Sequence, residues 1–407
     1  MSLENFFINY SYLPRDNEFT GEIGKDISKM NFSNFKREEL QDYFYDIFSD
    51  VMKEMFESIP KHKKIVIPLS GGLDSRSILA FALLFIEKSR IVTYTFGVPG
   101  AYDYEIGGEI AKLAGTKHFQ IDLNRHQYSE HELDLVCKYS GHSTFLFHHP
   151  PIHEINQIIS DGIVISGYLG DLVFGSYSNF SQINSNDAYS WYLNKNRVNG
   201  LDSSLNISSH KKLLSKINPK TIISPVEQLI LYERGPKLAA PHILLKKWEY
   251  KKPLIDPRII SFMFSLDLQN RNKQSFFIDS MIRFFPDLFL TRAKTTFGKV
   301  LPRYKEKHIF ERLKNKGINF LNKKFGTNMV YKPLNYLDFD KKFLEDDFFK
   351  DLANEYLNNL EKRNIDNIGK PSQIYKLHKK NKNLSSLLIN YISLEFILKN
   401  TDGRITK

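Results

Sequence analysis

Six residues, Ser70-Gly71-Gly72-Leu73-Asp74-Ser75, put two hydroxyls, two glycines and an acid directly after the apolar run Ile65–Leu69. Glycine lets backbone N–H groups approach an anion closely, and the hydroxyls add donors. A helix starting after the turn would add its partial positive charge, so the segment has the makings of a phosphate cradle. Asp74 fits such a cradle if a magnesium ion joins its carboxylate to the phosphate. The spacing is neither the Walker pattern nor the dinucleotide Gly-x-Gly-x-x-Gly, and an ordinary glycine turn between strand and helix is the alternative. A second segment of glycines and an acid, Ser166-Gly167-Tyr168-Leu169-Gly170-Asp171-Leu172, follows another apolar run, Gly162–Ser166.

Four histidines, His142, His148, His149 and His153, lie close together in sequence. Their spacing matches no zinc pattern and the single cysteine, Cys137, gives no help, so no zinc site is expected. One cysteine also excludes an intramolecular disulfide, which fits a reducing compartment. The N-terminal stretch has early acids and no long apolar core, and the most apolar run, Ile78–Ile86, is far shorter than the roughly 20 residues a membrane span needs. The expected location is cytoplasmic, with no membrane contact. Of the net charge of +11, most falls after Leu301, where 22 basic residues face 13 acidic ones. These lysines are scattered without a basic block or interleaved aromatics, so a solvated helical surface is expected there rather than a nucleic-acid groove.

The elements that must hold these residues follow from periodicity. Residues 36–58 place Leu40, Tyr43, Phe44, Ile47, Phe48, Val51, Met52, Met55 and Phe56 on one helical face. Strand Ile65–Leu69, helix Ser75–Glu87, strand Ile91–Phe96, helix Tyr104–Ala114, strand His118–Leu123, a helix near 130–140 and strand Gly162–Ser166 then alternate, which predicts a parallel α/β sheet. Residues 181–224 turn polar without a clear period and read as a surface excursion. Beyond Pro302, Lys-rich stretches alternate with amphipathic helical ones such as Leu384–Leu398.

The string VIPLSGGLDSRSILA resembles the PP-loop of the ATP pyrophosphatases in their asparagine synthetase branch. Ser166 to Gly175 is similar to that family's second glycine-acid motif, Pro253-Leu254-Ile255-Asp256 to its Pro-x-x-Asp segment, and Thr291 to Phe297 to its late Arg-x-Lys motif. The resemblance covers roughly residues 60 to 300. It implies a PP-loop fold with helices on both faces of the sheet and ATP held by Leu69, Ser70, Gly71, Gly72, Asp74, Ser75, Gly167 and Asp171. It also implies Mg2+ bound by Asp74 and Asp171. Two departures stand out. Ser2 follows Met1 and about 60 residues precede the PP-loop, so no glutaminase domain is expected; and Tyr168 and Leu172 stand where the asparagine synthetases usually have Glu. Tyr168 resembles the tyrosine of the β-lactam and carbapenam synthetases, whose tyrosine and glutamate deprotonate a substrate amine, and Glu233 stands where that glutamate is expected.

The reading that follows is an ATP-dependent carbon–nitrogen ligase. It adenylates a small-molecule or peptide carboxylate, releases AMP and pyrophosphate, and couples the acyl group to an amine. Tyr168, Glu233 and Lys294 are the catalytic residues, and His148 or His149 the substrate contacts. An asparagine synthetase using ammonia or a separate glutaminase is the alternative, followed by an inactive nucleotide-binding scaffold or a PP-loop enzyme that modifies transfer RNA. The expected division is an N-terminal segment and lead-in helix over 1–59, a synthetase domain over 60–300 with the polar insertion, and a basic, mainly helical region over 301–407.

Overall fold

In a computed structural model, described for residues 2–21, 23, 27–198, 217–218, 220–306, 308, 310–311, 313–314, 316–318, 321, 335–380, 383–401, 403 and 405, the apolar runs form one sheet. Its strands are β1 Ile65–Pro68, β2 Ile91–Gly97, β3 Lys117–Asp122, β4 Ile163–Ile165 and β5 Tyr250–Lys251. They pair in parallel in the order β3-β2-β1-β4-β5. The central strands β1 and β4 and most of β2 are buried on both faces, and this is why β1 and β4 read as runs of Ile and Val. β3 lies at an edge and carries the exposed or half-exposed Lys117, His118 and Gln120. The sequence did not announce β5, because two residues, Tyr and Lys, make no apolar run.

The order reverses beside β1, which has β2 on one side and β4 on the other. Open parallel sheets bind ligands outside the carboxyl ends of their strands at such a point, and both glycine-acid turns leave the sheet there. Ile65 and Ile67 face one layer and Val66 the other, as the alternation of a strand requires. On the first face lie α2 Arg37–Glu57 and α3 Asp74–Phe85, together with α10 Pro257–Ser265 and α11 Ser275–Phe284. Phe44 of α2 stacks on Phe262 at 5.4 Å and meets Phe276 edge-on at 5.7 Å. On the second face Val66, Val92 and Val164 pack against Ile155 and Ile159 of α6 Ile152–Ile159. α4 Tyr102–Ala114 joins β2 to β3, and α5 Glu130–Tyr139 follows β3.

A second core unites the two ends of the chain. It combines α1 Leu3–Tyr10, α5 and the segment 145–152 with α12 Phe339–Glu345, α13 Asp347–Lys362, α14 Pro371–His378 and α15 Ser385–Lys399. Two expectations change here. Leu384–Leu398 reads as amphipathic, but every residue from Leu387 to Leu398 is buried, because helices cover α15 on all sides. The polar stretch 181–224 is not wholly an excursion, for Ser185–Asn196 forms α8 and buries Ala188, Tyr189, Tyr192 and Leu193. Its residues 199–216 and 219 lie outside the described residues. No helix among the described residues is long and apolar enough to cross a membrane.

Candidate active site

Leu69 is fixed at the end of β1, its N–H donating to Tyr94 O at 2.7 Å and its carbonyl accepting Thr95 Oγ1 at 2.8 Å. The chain then turns through Ser70-Gly71-Gly72. Ser70 N–H donates to Ser75 Oγ at 3.4 Å, Gly72 N–H to Ser70 Oγ at 3.2 Å and Gly71 N–H to Asp103 Oδ1 at 3.2 Å. A side chain at Gly71 would put its Cβ 2.8 Å from Tyr102 O, so the N-terminus of α4 can approach the turn only because residue 71 is glycine. α3 begins at Asp74, as the sequence predicts for a helix aimed at an anion.

The second turn is moulded on Asp74. Leu169 takes the left-handed conformation (φ 61°), and Gly170–Val173 forms the short helix α7 with Asp171 in its first turn. A Cβ at Gly167 would lie 3.0 Å from Asp74 Cβ, and one at Gly170 only 2.6 Å from Asp74 Cγ. Leu254 of the Pro253-Leu254-Ile255-Asp256 segment closes the other side of Gly170, while Asp256 caps α10 by accepting Arg258 N–H at 2.9 Å. The Asp74 carboxyl is raised well above the usual carboxylate range, first by its enclosure in protein and then by the charge of Asp171. Asp171 keeps solvent access, yet the surrounding walls raise it too; the Leu172 N–H and the Arg234 charge pull the other way. Two facing carboxylates that oppose each other's ionisation fit a hard divalent cation. Among the described residues no group of three or more His, Cys, Asp or Glu is placed to hold a metal. Magnesium held by Asp74 and Asp171 would therefore take its other oxygens from phosphate and water.

Tyr168 is 3% exposed and packs in the main core beside this turn. Glu233 sits on a π-helix, Ile230–Ala239, that continues α9 Pro225–Leu229. Pro236 lies inside it and supplies no N–H to a regular ladder. Gly235 of this helix abuts the Leu169 methyls, which sets the helix against the turn that bears Tyr168. Glu233 is buried and paired with buried Lys237 at 2.9 Å, whose ammonium also donates to Pro14 O at 3.1 Å. Beside them Tyr12 and Tyr192 share a hydrogen bond of 2.7 Å. Both phenols are raised, mainly by burial, with the Glu233 charge adding to it.

Lys294 reaches the Ser70–Gly72 turn from the far side. Its backbone N–H donates to Gly71 O at 3.0 Å, and its half-exposed ammonium pairs with Asp103 at 2.5 Å. Arg292 shapes the loop by donating to Gly298 O at 2.9 Å and pairing with Glu109. Fully buried Arg76, in the first turn of α3, donates to Arg292 O at 2.8 Å and Thr291 Oγ1 at 3.1 Å, so the helix after the Ser70–Gly72 turn fixes the loop that carries Lys294. Asp103, Arg76, Lys237 and Arg234 escaped the sequence reading; only the i,i+4 spacing of Glu233 and Lys237 was a usable signal.

The two histidines singled out separate. His148 lies among Tyr336 (4.7 Å), Phe339 (5.0 Å) and Phe145 (5.5 Å), and burial drives it down to about 4, so it is neutral at pH 7. His149 is 2% exposed and directs Nδ1 at Pro150 O, 2.8 Å away.

A glycine cradle after β1, two carboxylates and a lysine thus converge at the reversal of the sheet. Residues 61–229 match the asparagine synthase family model. They form an asparagine-synthase-type domain. The asparagine-synthase-type segment contains both glycine-acid turns and Tyr168, whereas Glu233 and Lys294 lie beyond it. A Methanocaldococcus jannaschii protein described as a glutamine-hydrolyzing asparagine synthetase is 25% identical over 171 residues, 37% of this chain and 32% of its own length. Asparagine synthetase 3 (glutamine-hydrolyzing) of Arabidopsis thaliana is 28% identical over 146 residues, 32% of this chain and 24% of its own. The 7-cyano-7-deazaguanine synthase of Staphylococcus aureus is 25% identical over 91 residues, 21% of this chain and 41% of its own. The chain thus spans between about a quarter and two-fifths of the length of these relatives.

Proposed function

We propose that this chain is an ATP-dependent ligase that activates a carboxylate as its adenylate, with release of pyrophosphate, and transfers the acyl group to an amine. The observation that carries the reading is the convergence of Asp74, Asp171 and Lys294 on the Ser70–Gly72 turn. The N–H groups and hydroxyls of that turn bind the phosphates that leave together, and the start of α3 favours their negative charge. Magnesium held by Asp74 and Asp171 would neutralise triphosphate charge. Lys294 stabilises charge on the leaving phosphates or on the tetrahedral centre. Tyr168 Oη takes the proton of the attacking amine as its own phenolic proton passes to Glu233, the carboxylate that Lys237 holds in place. His148, neutral and set among aromatic rings, offers the substrate an uncharged imidazole.

The test is exchange of labelled pyrophosphate into ATP in the presence of candidate carboxylates, with AMP and amide products scored in parallel. Carboxylate-dependent exchange that falls by about 100-fold or more in Lys294→Ala is the expected outcome. ATP cleaved to ADP, or no exchange with any carboxylate, would overturn it. Including aspartate and ammonium divides the reading further: asparagine as product marks an ammonia-using synthetase, and exchange without asparagine marks a ligase for another amine.

A further inference from the structure

Asp103 is the second residue of α4, and its carboxylate bridges two groups that the proposed function assigns to phosphate. Oδ1 accepts the Gly71 N–H at 3.2 Å, and Oδ2 takes the Lys294 ammonium at 2.5 Å. The Lys294 backbone N–H closes the ring by donating to Gly71 O at 3.0 Å. The other two N–H groups of the turn have protein acceptors as well, Ser75 Oγ for Ser70 N–H and Ser70 Oγ for Gly72 N–H. Tyr336 faces the same carboxylate, and burial followed by the Asp103 charge pushes its phenol up to about 12, so it stays neutral. The Asp103 side chain is itself mostly covered (14% exposed), so it cannot swing freely into solvent.

We propose that Asp103 is an internal competitor for the pyrophosphate cradle, a carboxylate that takes back the Gly71 N–H and the Lys294 ammonium as pyrophosphate leaves. This rests on the reading of the Ser70–Gly72 turn as a phosphate site. An N–H has one hydrogen to give, so Gly71 serves either Asp103 or a phosphate oxygen. The ammonium has three, but a carboxylate held against it repels any second anion in the same place. Asp103 thereby weakens product binding and speeds its release, and Lys294 changes partners within one cradle. No bond to carbon or phosphorus is made or broken in this exchange; only hydrogen bonds and a counterion are traded.

The experiment is calorimetric titration of the full chain with inorganic pyrophosphate and magnesium, together with stopped-flow measurement of pyrophosphate dissociation. Asp103→Asn keeps the size of the side chain and an oxygen to accept from Gly71, but removes the charge. Asp103→Asn is expected to bind pyrophosphate about ten-fold more tightly, mainly through slower dissociation, as loss of one charged competitor for two donors requires. Asp103→Ser, smaller and also uncharged, should change binding in the same direction, while Lys294→Ala should weaken it. Thermal midpoints close to that of the parent establish that the variants are folded. Equal or weaker binding by both uncharged variants, with the parent binding normally, would overturn the role of Asp103 alone. A parent chain that does not bind pyrophosphate would instead overturn the phosphate site itself, and this inference with it.

Discussion

Asp74 carries a cost that its neighbours impose. Its carboxyl is raised by enclosure and by Asp171, so the folded state holds the ionised form less readily than the unfolded chain does. The sign follows from linkage: a carboxylate with a raised folded value adds to stability where it is protonated, and that contribution is lost as pH rises through the raised value. At neutral pH Asp74→Asn is therefore expected to raise the thermal midpoint while it abolishes magnesium-dependent nucleotide binding, a pairing that scanning fluorimetry with and without Mg-ATP resolves. An unchanged or lowered midpoint would count against the strained pair. Asp74 was legible as part of a local string of glycine, hydroxyl and acid, whereas Asp171 and Lys294 were found through the resemblance of their motifs to a known family. Asp103 and Arg76 were not legible, because each works through partners that only tertiary packing supplies, Gly71 and Lys294 for the first and Arg292 for the second; Lys237 had a local signal in its i,i+4 spacing from Glu233, but its contact with Pro14 O also needs the folded chain.

Among the elements, the strands and helices of the αβ alternation emerged within one or two residues of their expected ends, since a buried parallel strand is an apolar run and its glycine turn ends it abruptly. The element that periodicity hides is the π-helix Ile230–Ala239, whose wider turn breaks the 3.6-residue pattern at Pro236. Its stability hangs on a buried ion pair. Lys237→Met would leave the Glu233 carboxylate buried without its cation, and a loss of about 3–5 kcal/mol in urea denaturation is expected. The double variant Glu233→Gln/Lys237→Met should recover most of that loss. If the single variant loses nothing, the pair is not what holds the helix against the Tyr168 turn.

For the molecule as a whole, a histidine outside the four singled out joins the layers. His126 directs Nδ1 to Glu154 of α6 at 2.8 Å and Nε2 to Glu132 of α5 at 3.1 Å, with His149 close by. Burial pulls His126 down, but the two carboxylates outweigh it and hold it at about 9, against 6.5 for an ordinary histidine. A raised histidine contributes fully below 6.5 and loses that contribution as pH climbs toward 9. Stability to urea should therefore decline between those pH values in the parent. His126→Gln should be flatter over the same interval, and equal slopes would remove the assignment.

The second core has a consequence for the order of events in synthesis. Asn390 of α15 donates to Ile8 O of α1 at 2.9 Å, across 382 residues of sequence, and accepts from Ser11 Oγ at 3.1 Å. α1 thus waits for a helix made 382 residues later before its buried face is covered. At roughly 5–20 residues per second that wait is on the order of 20–80 s, during which Phe7 and Ile8 must be shielded by transient contacts or by a chaperone. Slowing a ribosome shortly before codon 385 should lengthen that exposure and lower the yield of folded chain, whereas a pause placed after α15 has emerged should not.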